Sequence, residues 1–328
     1  MNYKEYIARL NDFHNSIREG FELSKNIRLL SNDFDKIAFV GVGDSSMTGK
    51  IMANLYGDHL DIFDINSYHL PSFFDSKTLV FLISYSGNAE EVMFAMKDGL
   101  RLNCKMIAIT SGGKLSEIAK KDNIPLVNLP KNLVPNISLG YVFFSVLRIL
   151  SNHKIIQDVS PEIDALVNVF KNKKKDSLAG NLSEKIYDKT VIVYTPENLN
   201  SVGYRWKTQF NEVSKINSFS NILPDLDHNE IMSYSFENPD YYVIFLTDEK
   251  SGIRMKKRVE ITKDIIKRSA SVTEIQIRGN SLLAKIFTAI NLGDLTAADL
   301  ALKRKVDPLS VDLYDEINSR LKKDFIFF

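Results

Sequence analysis

Three times in its first 113 residues the chain passes from a short apolar, partly β-branched run into a glycine or serine turn and then into a helical stretch. Ile37-Ala38-Phe39-Val40 closes on Gly41-Val42-Gly43, Leu79-Val80-Phe81-Leu82-Ile83 on Ser84-Tyr85-Ser86-Gly87-Asn88, and Met106-Ile107-Ala108-Ile109-Thr110 on Ser111-Gly112-Gly113. Runs with no polar face belong to strands covered on both sides, so the alternation calls for a parallel sheet between two helix layers. The alternation returns with Val191-Ile192-Val193-Tyr194, Tyr241 to Leu246 and Val272 to Ile277, the last of these following a helical stretch from Lys256 to Arg268. A chain of 328 residues is also too long for one ordinary domain. We expect an α/β protein of two three-layer α/β/α domains with parallel sheets, spanning residues 1–155 and 156–328. Residues 1–30 read as an amphipathic helix or helix pair, Asp164 to Lys185 as a Lys-rich helical connector, and Leu282 to Leu302 as a long helix. Asp307-Pro308 introduces a polar C-terminal helix. Its aromatic end, Phe325-Ile326-Phe327-Phe328, is expected to pack against the body or a partner subunit.

With 42 Lys+Arg against 41 Asp+Glu the formal charge is +1, so no global field attracts nucleic acid or an acidic membrane, and an anionic ligand needs a local site. Cys104 is the only cysteine, which excludes an internal disulfide and a multi-thiolate zinc site and suits a reducing compartment. The five histidines (His14, His59, His69, His153, His228) show no ligand spacing, so we expect neither a metal nor another cofactor. Met1 to Glu22 mixes charges throughout, and no segment reads as a bilayer span; the expectation is a cytoplasmic protein.

In open parallel sheets, ligands sit beyond the carboxyl ends of strands, where helix N-termini present unpaired N–H groups. Ser45, Ser84 and Ser86 occupy such ends and could cradle a phosphate. Taken singly, each is more simply an N-cap. On Arg205 to Val213, read as a helix, Trp206, Phe210 and Val213 form an apolar stripe, and Glu212 falls off it, as a solvated surface residue would. His228 ends the polar loop Leu223-Pro224-Asp225-Leu226-Asp227-His228; a loop histidine is usually inert, although imidazole suits proton transfer near neutral pH.

The segment Ile83-Ser84-Tyr85-Ser86-Gly87-Asn88-Ala89-Glu90-Glu91 resembles the phosphosugar loop of sugar isomerase (SIS) domains, and Gly41-Val42-Gly43-Asp44-Ser45 resembles their first-strand turn. The resemblance implies phosphate contacts from Ser45, Ser84 and Ser86. Asp44 stands where a third glycine is common and brings a carboxylate near a dianion unless it turns away. Ala89 replaces a threonine hydroxyl. Arg205-Trp206-Lys207…Gln209-Phe210-Asn211-Glu212, followed by Pro224-Asp225-Leu226-Asp227-His228-Asn229-Glu230, resembles the distinctive part of the bifunctional phosphoglucose/phosphomannose isomerases. Val134 to Tyr141 and Val306-Asp307-Pro308 match in order, so the resemblance covers nearly the whole chain.

It implies that Glu212 moves a proton between C1 and C2 of an open-chain hexose phosphate through a cis-enediol. It implies also that His228, supplied by the other subunit of a homodimer, assists ring opening. Asn136 stands where the family has an arginine that stabilises the enediolate, Leu309 replaces a threonine linked to the mannose epimer, and Arg320, Lys322 or Lys323 would supply a final-helix cation. The leading reading is a glucose 6-phosphate/fructose 6-phosphate isomerase, with mannose 6-phosphate as a further substrate. A non-catalytic sugar-phosphate sensor and an isomerase of another phosphosugar stay open.

Overall fold

The computed structural model of the chain describes residues 2–29, 33–172 and 177–324. The apolar runs form the middle of two parallel sheets. The first contains β1 (Lys36–Val40), β2 (Asp61–Ile65), β3 (Thr78–Ile83), β4 (Lys105–Thr110) and β5 (Leu126–Asn128), in the order β2-β1-β3-β4-β5. The second contains β6 (Thr190–Pro196), β7 (Ser218–Leu223), β8 (Tyr241–Asp248) and β9 (Ser271–Ile277), in the order β7-β6-β8-β9. Both sheets reverse their winding beside their first strand, which makes the crevices beyond β1/β3 and β6/β8 the natural ligand positions. The expected α/β architecture with two parallel sheets is therefore present. The edge strands β2, β5 and β7 are additions to the elements read from sequence.

The helices follow the same alternation. The amino end forms a pair, α1 (Tyr3–Asn11) and α2 (Phe13–Leu23), and the first sheet is wrapped by α3 (Met47–Tyr56), α4 (Glu90–Arg101), α5 (Gly113–Lys121) and α6 (Leu139–Asn152). Then come α7 (Ser160–Lys171), α8 (Leu178–Lys185), α9 (Asn200–Glu212), α10 (Ile253–Ile266), α11 (Leu282–Arg304) and α12 (Asp312–Asp324). Around α6, Tyr141, Val142, Phe143, Phe144, Val146, Leu147, Ile149 and Leu150 are all buried, as in a helix apolar on every face. The described parts of the Lys-rich connector lie in helices α7 and α8. In α7, Ile163, Leu166, Val167 and Phe170 turn inward, and Phe170 meets Phe13 edge-on at 5.1 Å. Phe143 and Phe144 each lie 4.8 Å from Phe287 of α11.

One apolar cluster contains Phe39, Phe81 and Ile107 of the first sheet together with Val191, Val193 and Ile244 of the second. The helices between the sheets thus share a single interior. Trp206 of α9 is fully buried and donates its indole N–H to the Ala289 carbonyl at 2.9 Å. Gly293 makes this approach possible, since a Cβ there would lie 2.4 Å from the indole nitrogen. The α9–α11 contact fixes where the outer, polar face of α9 points. Residues 325–328, and with them the aromatic tail, lie outside the described residues.

Candidate active site

The serine turns of the first sheet converge because β1 and β3 are neighbours. After β1, residues Gly43–Ser46 form one turn of 3₁₀ helix in which the Ser46 hydroxyl donates to the Gly43 carbonyl at 2.8 Å, and Ser45 is half-buried. After β3, Ser84 is buried, and its Oγ accepts from the backbone N–H groups of Gly87 (3.1 Å) and Ala89 (3.4 Å). Exposed Ser86 accepts from the Asn88 N–H at 3.2 Å. A hydroxyl used as an acceptor keeps its own proton for another oxygen. Neither α3 nor α4 has a side-chain N-cap bond, so these serines shape the turns rather than cap the helices. Gly87 has φ +70°, and a Cβ there would stand 1.8 Å from the Gly112 carbonyl oxygen, so only glycine lets the turns after β3 and β4 interlock.

The second half meets these turns through α9. Arg205, Gln209 and Glu212 are spaced i, i+4, i+7, which aligns them on one face of the helix. Arg205 is 1% exposed and donates from Nε and Nη2 to the two carboxylate oxygens of Asp294 on α11, at 2.9 and 3.0 Å. Its Nη1 donates to Asp44 Oδ1 at 2.6 Å, and Nη2 also to the Asn136 carbonyl at 2.7 Å. Gln209 Nε2 reaches the same Asp44 oxygen at 3.3 Å. Asp44 therefore turns inward to a guanidinium. Burial works against the Arg205 cation, but Asp294 and Asp44 outweigh it and hold its pKa above the ordinary value.

Glu212 is not the solvated surface residue that its position off the apolar stripe suggests. It is half-buried at the end of α9, and burial first, then the negative charge of Asp44, push its carboxyl up to about 8, against the opposing pull of Arg205 and Lys215. A carboxyl so placed can take up and release a proton close to neutrality.

His228 lies elsewhere in the same chain. Asn211, beside Glu212, accepts from Ser218 N–H at the start of β7 (2.7 Å), whereas His228 follows the end of that six-residue strand. At a strand rise of about 3.3 Å per residue, β7 itself spans roughly 17 Å from the Asn211 end to the end that leads to His228. The His228 side chain is exposed, but its loop is pinned on both sides. Asp227 accepts from Arg258 (2.7 Å) and Thr262 (2.8 Å) of α10, and Glu230 accepts from Tyr194 (2.9 Å) and Asn221 (2.8 Å). Met232, Phe236 and Ile253, from the segments around this loop, are 70–85% exposed.

Asn136 is buried beside Arg205; its Nδ2 donates to the Tyr6 hydroxyl at 3.3 Å, and its Oδ1 has no partner among the described residues. Arg320 stands on exposed α12 and pairs with Glu316 in its own helix. The side chains of Lys322 and Lys323 lie outside the described residues. The structure thus bonds Asp44, Asp294 and the Asn136 carbonyl to Arg205, with Ser45 next to Asp44 in the β1 turn and Glu212 on the Arg205 face of α9, and adds Gln209 and Tyr6. The i, i+4, i+7 spacing of Arg205, Gln209 and Glu212 on α9, and Asp294 within the largely apolar run of α11, were the available signals for this network.

The bacterial phospho-glucose isomerase C-terminal SIS domain family matches residues 175–321. Over 325 residues the chain is 34% identical to the bifunctional phosphoglucose/phosphomannose isomerase of Caldicellulosiruptor bescii, covering 93% of this chain and 95% of that one. It is 32% identical to the protein of that name from Thermoplasma acidophilum, covering 88% and 90%. Among solved structures, glucosamine-6-phosphate deaminase of Thermotoga maritima superposes with a TM-score of 0.68 at 17% identity, over 92% of this chain and 96% of that one, which shows a shared fold.

Proposed function

This chain belongs to the bifunctional phosphoglucose/phosphomannose isomerase family, and we propose that it is an aldose–ketose isomerase of hexose 6-phosphates. Glucose 6-phosphate and fructose 6-phosphate are the substrate pair, with mannose 6-phosphate as a third ligand of the same site. The observation that carries this reading is the docking of α9 on the turn after β1. Arg205 and Gln209 both bond to Asp44, so Glu212, on the same helix face, comes to lie against the turn that holds Ser45.

In this reading Ser45, Ser84 and Ser86 hold the phosphate by hydroxyl donation at the β1/β3 crevice. Glu212, as the carboxylate, takes the proton from C2 of the aldose or C1 of the ketose. The C–H electron pair forms the C1–C2 double bond of a cis-enediol as the carbonyl π pair moves onto its oxygen, which takes up a proton; the other oxygen then gives up its proton and becomes the new carbonyl as the carried proton returns to the other carbon. The reaction moves protons and is redox-neutral, so it requires no cofactor. A well-placed general base contributes roughly 10²–10⁴-fold.

Asn136 supplies an amide and no charge, and Arg205 is already bonded to two carboxylates. Loss of a preorganised donor costs on the order of 100-fold, so a slow isomerase is expected. The position of Glu212 by the start of β7 and of His228 beyond its other end supports a homodimer in which His228 of one copy serves Glu212 of the other, assisting transfer between O1–H and the ring oxygen. The exposed apolar residues Met232, Phe236 and Ile253 near that loop support the same arrangement. Among the described residues no helix is long and apolar enough to cross a membrane, and a cytoplasmic location fits a hexose phosphate substrate.

The test is solvent exchange. Protein incubated with fructose 6-phosphate in deuterated water should yield aldose deuterated at C2, and Glu212→Gln should abolish the label. Saturable binding without exchange would instead make this a sugar-phosphate sensor.

A further inference from the structure

We propose that Glu230 is a positioning residue for His228: together with Asp227 it clamps an exposed loop to the body of the second half, so that the imidazole is held in one place for the ring-opening step. This rests on His228 having that role in the proposed reaction. Surface loops are ordinarily mobile, and water ordinarily meets their polar side chains. The loop from Pro224 to Glu230 departs from that rule. The acids on either side of His228 are each bonded through both carboxylate oxygens to side chains of other elements. Asp227 Oδ2 accepts from Arg258 at 2.7 Å and Oδ1 from the Thr262 hydroxyl at 2.8 Å, both on α10. Glu230 Oε2 accepts from the Tyr194 hydroxyl of β6 at 2.9 Å, and Oε1 from the Asn221 amide of β7 at 2.8 Å.

Of the two anchors Glu230 is the stronger. The Arg258 side chain is 42% exposed, so water competes for its bond to Asp227. Tyr194 is 1% exposed; its ring packs edge-on against Phe245 at 5.5 Å, and its oxygen also meets the Tyr234 hydroxyl at 2.9 Å. Glu230 thus ties the loop to a buried pair of tyrosines. Asn229 is used within the loop, its Oδ1 accepting the Glu230 N–H at 2.6 Å and its Nδ2 donating to Asp225 at 3.3 Å. His228 is exposed and has no hydrogen bond among the described residues. The frame therefore consumes the polar side chains around His228 and leaves the imidazole free. A group that acts on a ligand held by another copy must be preset to within about 0.5 Å, and a supporting shell of this kind does that.

The test separates ring opening from proton transfer by the choice of substrate. Fructose 6-phosphate closes its ring through O5, whereas the analogue without that oxygen, 5-deoxyfructose 6-phosphate, stays open. Initial rates of deuterium incorporation are measured on both for the unaltered protein, Glu230→Ala, His228→Ala and the double variant. Glu230→Ala should lower the rate with fructose 6-phosphate about tenfold or more. It should leave the rate with the analogue within about twofold, and add nothing beyond that margin to His228→Ala. Glu230→Gln, whose carbonyl can accept from Asn221 while its N–H donates to Tyr194, should recover most of the loss. Equal losses on both substrates, or losses that multiply in the double variant, mean that Glu230 serves only the fold and overturn the proposal.

Tyr194→Phe covers the case in which Glu230→Ala does not fold, since it keeps the buried ring and removes only the hydroxyl; it should show the same split between the two substrates. If the unaltered protein turns over neither, the isomerase reading fails, and nuclear magnetic resonance decides the positioning role by itself. The His228 imidazole signals, identified by their absence from His228→Ala, should shift or double in Tyr194→Phe. Signals that stay in place overturn the proposal.

Discussion

Arg205 is the side chain on which the two halves of the molecule are joined, and Arg205→Met measures what that junction contributes. The substitution keeps much of the volume but deletes three charge-assisted contacts to Asp294 and Asp44 and one to the Asn136 carbonyl, with side-chain exposures of 1% for Arg205, 4% for Asp44 and 6% for Asp294. Removing one partner from such a buried network costs about 3–5 kcal/mol, because the remaining charges have lost both water and counter-ion. At about 2 °C per kcal/mol for a long chain, the melting temperature should fall by roughly 6–10 °C. The loss also has a pH signature. Asp294 is already held above the usual carboxylate range by burial, with Arg205 opposing, so without the guanidinium Asp294 should retain its proton to higher pH in the folded state. A group that binds protons more tightly when folded loses stabilising effect as pH rises from its unfolded pKa, near 4, toward its raised folded value. The deficit should therefore be smaller at pH 5 than at pH 8. Thermal unfolding followed by near-ultraviolet circular dichroism at both values is the assay. A deficit below about 1 kcal/mol, or one equal at both pH values, would refute the reasoning, and Arg205→Met with Asp294→Asn should recover part of the loss, since it removes the unpaired anion.

Ser84→Ala deletes the acceptor for the Gly87 and Ala89 N–H groups and the phosphate donor proposed above. The KM for hexose 6-phosphate should rise tenfold or more with a smaller change in kcat, as one bond to a charged group is worth about 1.5–3 kcal/mol; an unchanged KM in steady-state kinetics would remove Ser84 from the site. Mixing inactive Glu212→Gln and His228→Ala subunits should restore about a quarter of the normal activity after exchange, because half the dimers are mixed and each of those has one intact site. No recovery, with subunit exchange verified by mass spectrometry, would place His228 outside the partner's site.

The central strands were legible because they are apolar on both faces: β1, β3, β4, β6 and β8 are almost wholly buried. The edge strands β2, β5 and β7 were not. β2 reads Asp-Ile-Phe-Asp-Ile, β7 reads Ser-Phe-Ser-Asn-Ile-Leu, and β5 has only three residues, so solvent-facing polar groups break the pattern and pairing with a neighbour decides the matter. Serines at strand ends were visible as turn residues, but whether their hydroxyls capped a helix depended on loop geometry. Glu212 was misplaced by helical periodicity alone. A helix wheel describes one partner surface, and α9 has two: Trp206 and Phe210 face α11, while Arg205 and Gln209 face the turn after β1. The length and slope of α9 across the first half are tertiary facts that no local window contains.

The single apolar interior that runs from Phe39 to Ile244 bears on how a ligand arrives. Halves joined only by a polar seam could gape and clamp like a jaw; halves that own one greasy centre would have to wet it to do so. The mouth of the cleft is thus set at folding, and a sugar phosphate entering it meets a fixed template rather than a closing grip. Selectivity must then reside in the rims.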